Sequence, residues 1–151
     1  MSDNIIEKIE NEVKEFFARL VTDFQFKISQ KENVFNIDLQ TKEFQELLGE
    51  KGKTLLDIQH LLNAVLKKKI HNEIVIDVDI NGYKERKIRY LKELAKAIAD
   101  EVSLTKKEKI LEPMPAYERR IIHLELAARP DVTTESIGKE PNRRIVIKPY
   151  P

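Results

Sequence analysis

A chain of 151 residues, 41% hydrophobic and 35% charged, can bury one core or two small ones. With no cysteine it has no disulfide, thiolate metal site or cysteine nucleophile, which suits a reducing cytoplasm. The net charge of +1 argues against indiscriminate nucleic-acid binding, yet residues 1–80 hold 11 Lys and Arg against 15 Asp and Glu while residues 81–151 hold 16 against 11, so phosphate attraction is expected mainly from the second half.

From the N-terminus, Ile5, Ile6, Ile9, Val13, Phe16 and Leu20 recur at helical spacing, with Glu7, Glu10, Glu12 and Glu15 on the solvent side. This opening is a charged amphipathic helix rather than an apolar leader, and no apolar run is long enough to span a bilayer, so secretion and membrane insertion are not expected. Phe24, Phe26 and Ile28, then Phe35, Ile37 and Leu39, alternate with polar residues and predict a hairpin with one buried face. A short helix from Lys42 to Leu48 leads into Gly49-Glu50-Lys51-Gly52. Leu55, Ile58, Leu62 and Val65 then mark a longer helix ending near Lys67-Lys68-Lys69, whose cations suit a helix C-terminus. Ile74, Ile76, Val78 and Ile80 form a strand, closed by the turn dipeptide Asn81-Gly82. That dipeptide is the predicted boundary between domains 1–81 and 82–151.

In the second half, Ile88, Leu91, Ala95, Ile98 and Val102 give one stripe of a long helix over 83–103. A short strand over 109–111 and the breaker Pro113-Met114-Pro115 precede a helix over 116–128, with Pro115 in its first turn. There Tyr117, Ile121, Leu124 and Ala128 share the face expected to be buried, and Arg119 and His123 share an outward one. Strands over 132–137 and 144–148 close the chain around Gly138-Lys139-Glu140-Pro141-Asn142, a turn by composition.

Two constellations carry chemistry. Gly49 and Gly52 bracket Glu50 and Lys51 at the start of a helix, with Lys53 following, and the chain has only four glycines. Glycines at this spacing let the main chain turn sharply and approach a ligand, and the helix they open presents unpaired amides to an anion. A plain helix-turn-helix link needs the same freedom, so the lysines and the context decide. On this reading Gly52→Asp is expected to weaken binding while the fold survives. Arg119 offers a planar fork for phosphate oxygens, and His123 a hydrogen bond or a stacking face. Arg120, Arg143 and Arg144 widen that patch. The bland alternatives are an exposed pair making local hydrogen bonds and a solvent-facing strand end.

The element order helix, strand, strand, helix, Gly-x-x-Gly, helix, strand is similar to a type II KH domain, in which that loop grips nucleotide backbone. Pro115-Ala116-Tyr117-Glu118-Arg119-Arg120-Ile121-Ile122-His123 with Glu140-Pro141-Asn142-Arg143-Arg144-Ile145-Val146-Ile147 resembles the domain named for its Arg-x-x-x-His (R-3-H) motif. Together with Asn81-Gly82-Tyr83-Lys84-Glu85-Arg86, these features resemble the bacterial Jag family, also called SpoIIIJ-associated or KhpB, over about residues 24–149. The resemblance implies an α+β chain: a three-stranded KH sheet on helices, then a small three-stranded sheet with two helices. It implies cytoplasmic binding of single-stranded RNA, with single-stranded DNA as the competing ligand, and RNA regulation tied to cell envelope, division or sporulation. It also implies a protein partner such as another small KH protein. Only one helix precedes the first strand, so the separate Jag-N domain of many members is not expected in this sequence. The family loop tends to carry two basic middle residues, whereas here the first is Glu50, which repels phosphate.

Catalysis, cofactors and metals are not expected. His60 and His71 lack a neighbouring metal-ligand pattern, and there is neither a Gly-x-x-x-x-Gly-Lys-Ser/Thr loop nor a nucleophile elbow. The alternative to RNA binding is a protein-interaction adaptor, favoured by the acidic first half and Glu50. Lys51, Lys53, Arg119 and His123 favour RNA, with the two sites expected to act on one strand.

Overall fold

The computed structural model describes residues 2–151. The chain divides into two units, one ending at Lys84 and one starting at Glu85, each with its own three-stranded sheet and core.

The first unit runs α1 (Ser2–Ala18), β1 (Phe24–Lys31), β2 (Val34–Thr41), α2 (Phe44–Leu48), α3 (Lys53–Lys69) and β3 (Val75–Ile80). Strand order is β1-β2-β3. The β1/β2 pair is antiparallel across a tight turn at Glu32-Asn33, and β2/β3 is parallel, which requires a crossover that α2 and α3 supply. This is the α+β topology expected for a type II KH domain. Phe35, Ile37 and Leu39 of β2 and Ile76, Val78 and Ile80 of β3 alternate inward, joining Ile9, Val13 and Phe17 of α1 and Leu55, Ile58, Leu62 and Leu66 of α3 in one core.

Two details of helix phase differ from the periodicity reading. Phe17 rather than Phe16 is fully buried on α1, and Leu20 lies beyond the end of that helix, exposed. On α3 Leu66, not Val65, is the last buried residue. In both helices the stripe continues at four-residue steps, through Ile9, Val13 and Phe17 and through Ile58, Leu62 and Leu66.

Side chains finish what the sheet leaves open. The outer-edge amides of Ile76 and Val78 donate to Asn63 Oδ1 (3.2 Å) and Gln59 Oε1 (2.9 Å) of α3, so side-chain amides of the helix fasten it along β3. Asn81 accepts from Thr41 N (2.9 Å) and donates to Thr41 O (2.8 Å), extending the parallel ladder by one side-chain rung.

The second unit comprises α4 (Tyr83–Thr105, whose first two residues close the first unit), β4 (Lys109–Ile110), α5 (Ala116–Leu126), β5 (Val132–Ile137) and β6 (Arg144–Pro149). Its sheet is antiparallel in the order β4-β6-β5. Leu91, Ala95, Ala99 and Val102 of α4 share a core with Ile122 and Leu126 of α5, Val132 of β5, and Ile145 and Ile147 of β6. The link after α5 is pinned by Arg129, which forks onto Asp131 (3.0 and 2.7 Å) and reaches Asp100 of α4 (2.8 Å). Its fork holds the Asp131 carboxyl well below the usual carboxylate range.

The orientation of α5 corrects the sequence reading. Tyr117 and Leu124 are 50% and 70% exposed, whereas Glu118, Arg119, Ile122 and Leu126 are buried. The helix carries two apolar stripes, and periodicity cannot choose between them. Neighbours decide: Glu118 reaches Lys87 of α4 (3.6 Å) and Arg119 reaches Glu140 in the β5–β6 turn (3.0 Å), turning the Ile122–Leu126 stripe inward.

Candidate nucleic-acid interface

The first candidate site is made of main chain. α2 ends at Leu48 with Gly49 N donating to Gln45 O (3.0 Å). Three of the next four residues then take positive φ: Gly49 (68°), Lys51 (55°) and Gly52 (77°). Gly49 combines its φ with ψ −173°, a region open essentially to glycine alone, and Gly52 is the left-handed N-cap of α3. No side chain caps α3 at this end; the Lys53 amide donates to the Glu50 carbonyl, closing the turn, and the helix dipole adds positive potential there. Glu50, Lys51 and Lys53 are exposed around them.

Space as well as conformation demands both glycines. A Cβ on Gly49 would lie 2.7 Å from Thr54 Cβ, and one on Gly52 would lie 2.8 Å from Tyr83 Cε1. Gly52→Asp therefore carries a stability cost beside the expected loss of binding, because that side chain needs the Tyr83 ring to move and a strained φ besides. In the sequence Tyr83 stands only as the residue after Asn81-Gly82, with nothing to place its ring against Gly52.

The second candidate site is made of side chains. Arg119 is not the outward residue that helix geometry suggests. Its guanidinium donates through Nη1 to the Met114 carbonyl (2.7 Å) and through Nη2 to the Glu140 carboxylate (3.0 Å), while Met114 N donates to Arg143 O (3.1 Å). Arg119 thus joins the Pro113-Met114-Pro115 link, the β5–β6 turn and α5. His123 lies over β5, with Nδ1 2.6 Å from Thr134 Oγ1 and Nε2 3.0 Å from Ser136 Oγ. Burial, and next the charge of Arg119, push its pKa down, so the ring is held neutral, one nitrogen donating and the other accepting. Thr134 and Ser136 follow Val132 at two-residue steps on one face of β5, and that switch from apolar to polar is the signal that a polar residue lies on the helix above.

The remaining cations differ in how they are held. Arg120 is exposed on α5. Arg143 Nη1 donates to the Gly138 carbonyl (2.6 Å) and Arg144 Nε to the Asn142 carbonyl (3.2 Å), so both close the β5–β6 turn with part of each fork. The turn brings Arg119, Glu140, Arg143 and Arg144 into one neighbourhood; Gly49, Glu50, Lys51, Gly52 and Lys53 belong to the other unit. His60 is exposed, and His71 Nδ1 accepts from Glu73 N (3.1 Å). Among the described residues no His, Asp and Glu cluster could hold a metal ion, and no helix is long and apolar enough to cross a membrane.

Residues 89–149 match the family model of the R-3-H domain. The chain is similar to the RNA-binding protein KhpB of Clostridium symbiosum, 37% identical over 85% of this chain and 58% of that protein. It is likewise similar to the proteins of that name from Lactiplantibacillus plantarum, 38% identical over 67% of this chain and 31% of that protein, and from Bacillus subtilis, 37% identical over 67% and 50%. The chain therefore spans between about a third and three fifths of the length of these relatives.

Proposed function

We propose, from the premise that this chain belongs to the Jag (KhpB) family and carries an Arg-x-x-x-His domain, that it binds single-stranded RNA. The observation that carries the reading is the Gly49–Gly52 turn, where positive-φ main chain opens a helix with no side-chain cap between exposed lysines. Such a turn offers amide donors and charge to a phosphate without side chains in the way. In the second unit Arg120, Arg143, Arg144 and the Arg119–His123 network supply the other binding surface, backed by its excess of positive charge. The domains are proposed as 1–81 and 82–151, acting in the cytoplasm in RNA regulation tied to envelope, division or sporulation, as family membership suggests. A protein-docking role is the second reading. It is favoured by the outward Tyr117–Leu124 face of α5.

Fluorescence anisotropy of the full chain with a labelled oligouridylate, its deoxy counterpart and a duplex tests the proposal. Single strands should bind, the duplex should bind more weakly, and the Lys51→Glu, Lys53→Glu double variant should bind about tenfold or more weakly. Its log–log salt slope should be shallower by about 0.7 for each phosphate no longer neutralised. Equal affinity of a folded double variant would remove the turn from the site, and no binding by the wild type would leave the docking reading.

A further inference from the structure

We propose that Arg119 forms a phosphodiester subsite whose place is held at rest by the Glu140 carboxylate, which RNA must displace. The inference rests on the RNA-binding reading above. Arg119 has only 9% of its side chain exposed, while its partner Glu140 is 58% exposed. The guanidinium therefore has an inner edge committed to the Met114 carbonyl (2.7 Å) and an outer edge covered by a carboxylate that itself lies in water. A carboxylate and a phosphodiester each offer two oxygens to the same face of that fork.

Anion-for-anion exchange is the step that this arrangement permits. A nearly buried arginine stripped of its counter-ion is costly, but one whose carboxylate is replaced by phosphate stays paired throughout. Glu140, already exposed, is hydrated on leaving. It sits on a turn closed independently of it, by Arg143 Nη1 to Gly138 O (2.6 Å) and Asn142 N to Lys139 O (2.8 Å), so its side chain can leave without the turn opening. Arg120 on α5, Arg143 in the β5–β6 turn and Arg144 at the start of β6 attract the incoming strand. The sequence motif that holds Glu140 beside Pro141 and Asn142 thus contributes an internal competitor, and Glu140 sets how much phosphate the site demands before it opens.

Glu140→Gln in the full chain keeps shape and removes the competing charge. Its affinity for a labelled oligouridylate should rise roughly three- to tenfold, and the gain should vanish in an Arg119→Gln background. Glu93→Gln, an exposed acid of α4, is the charge control and should leave affinity near wild type. Unchanged or weaker binding by folded Glu140→Gln would overturn the proposal, as would the same gain in Arg119→Gln or in Glu93→Gln. Thermal melting in inorganic phosphate against chloride at matched ionic strength decides independently of RNA and of whether Arg119→Gln folds. Phosphate should raise the melting temperature of Glu140→Gln more than that of wild type, and equal shifts would reject the subsite. Phosphate stabilisation of Glu140→Gln with no oligouridylate binding by the wild type would instead reject the RNA reading and keep the subsite.

Discussion

Lys51 and Lys53 stand exposed on a turn whose shape comes from main-chain torsions, whereas Arg119 and His123 are turned inward and bonded to their own domain. On the proposed function the contrast is between two ways of building an anion site. In the first unit conformation and charge are separable: the glycines fix the backbone and the lysines supply the field. In the second they are the same atoms, because the arginine that would meet a phosphate also ties α5 to the Met114 link and the β5–β6 turn. Substitutions should therefore split stability from affinity at the first site and move them together at the second.

The largest effect is expected where backbone alone is challenged. Gly49→Ala forces a Cβ against Thr54 and into a torsion that only glycine holds readily, so the first unit should be destabilised by about 3 kcal/mol, a fall of more than roughly 10 °C in melting temperature. A change below about 1 kcal/mol would show that Thr54 yields and that the turn is softer than its geometry.

Arg119→Ala comes next. It removes two hydrogen bonds from a charged group but leaves Glu140 largely hydrated, so about 2 kcal/mol of stability should go along with affinity. Urea unfolding beside anisotropy checks both. Weakened binding at unchanged stability would make Arg119 a surface residue in its effect and break the comparison.

His123 sharpens it through pH. The folded pKa lies below the ordinary value of 6.5, so the unfolded chain takes up the proton first. The stability this group contributes is full above pH 6.5 and is lost as pH falls below it through the lower folded pKa. Melting curves between neutral and mildly acidic pH should converge for wild type and His123→Gln as the pH drops. A constant gap would mean that the imidazole titrates as freely as in the unfolded chain.

The smallest effect belongs to Glu50, an exposed side chain on the turn. Glu50→Lys should tighten RNA binding about two- to fivefold without moving the melting temperature, in line with surface charge terms below about 1 kcal/mol. Unchanged affinity would mean that the side chain points away from the bound strand.

Much of the architecture follows from local chemistry. Alternation over Phe35, Ile37 and Leu39, and over Ile74 to Ile80, marks strands because the pleat has a period of two, and the glycine pair marks the turn because few other residues reach positive φ. The strand expected over 132–137 is observed as Val132–Ile137, although its face turns polar after Val132. Periodicity tells which residues share a face, but not which face meets a neighbour, and here the tertiary structure decided. α5 offers two apolar stripes. Lys87, Glu140, Thr134 and Ser136 select the one that buries Arg119 and lays His123 on β5. The Tyr83 ring beside Gly52 and the Glu140 carboxylate on Arg119 join residues far apart in the chain. No local pattern encodes such pairs, because their closeness is created by sheet register and helix packing rather than by either segment alone.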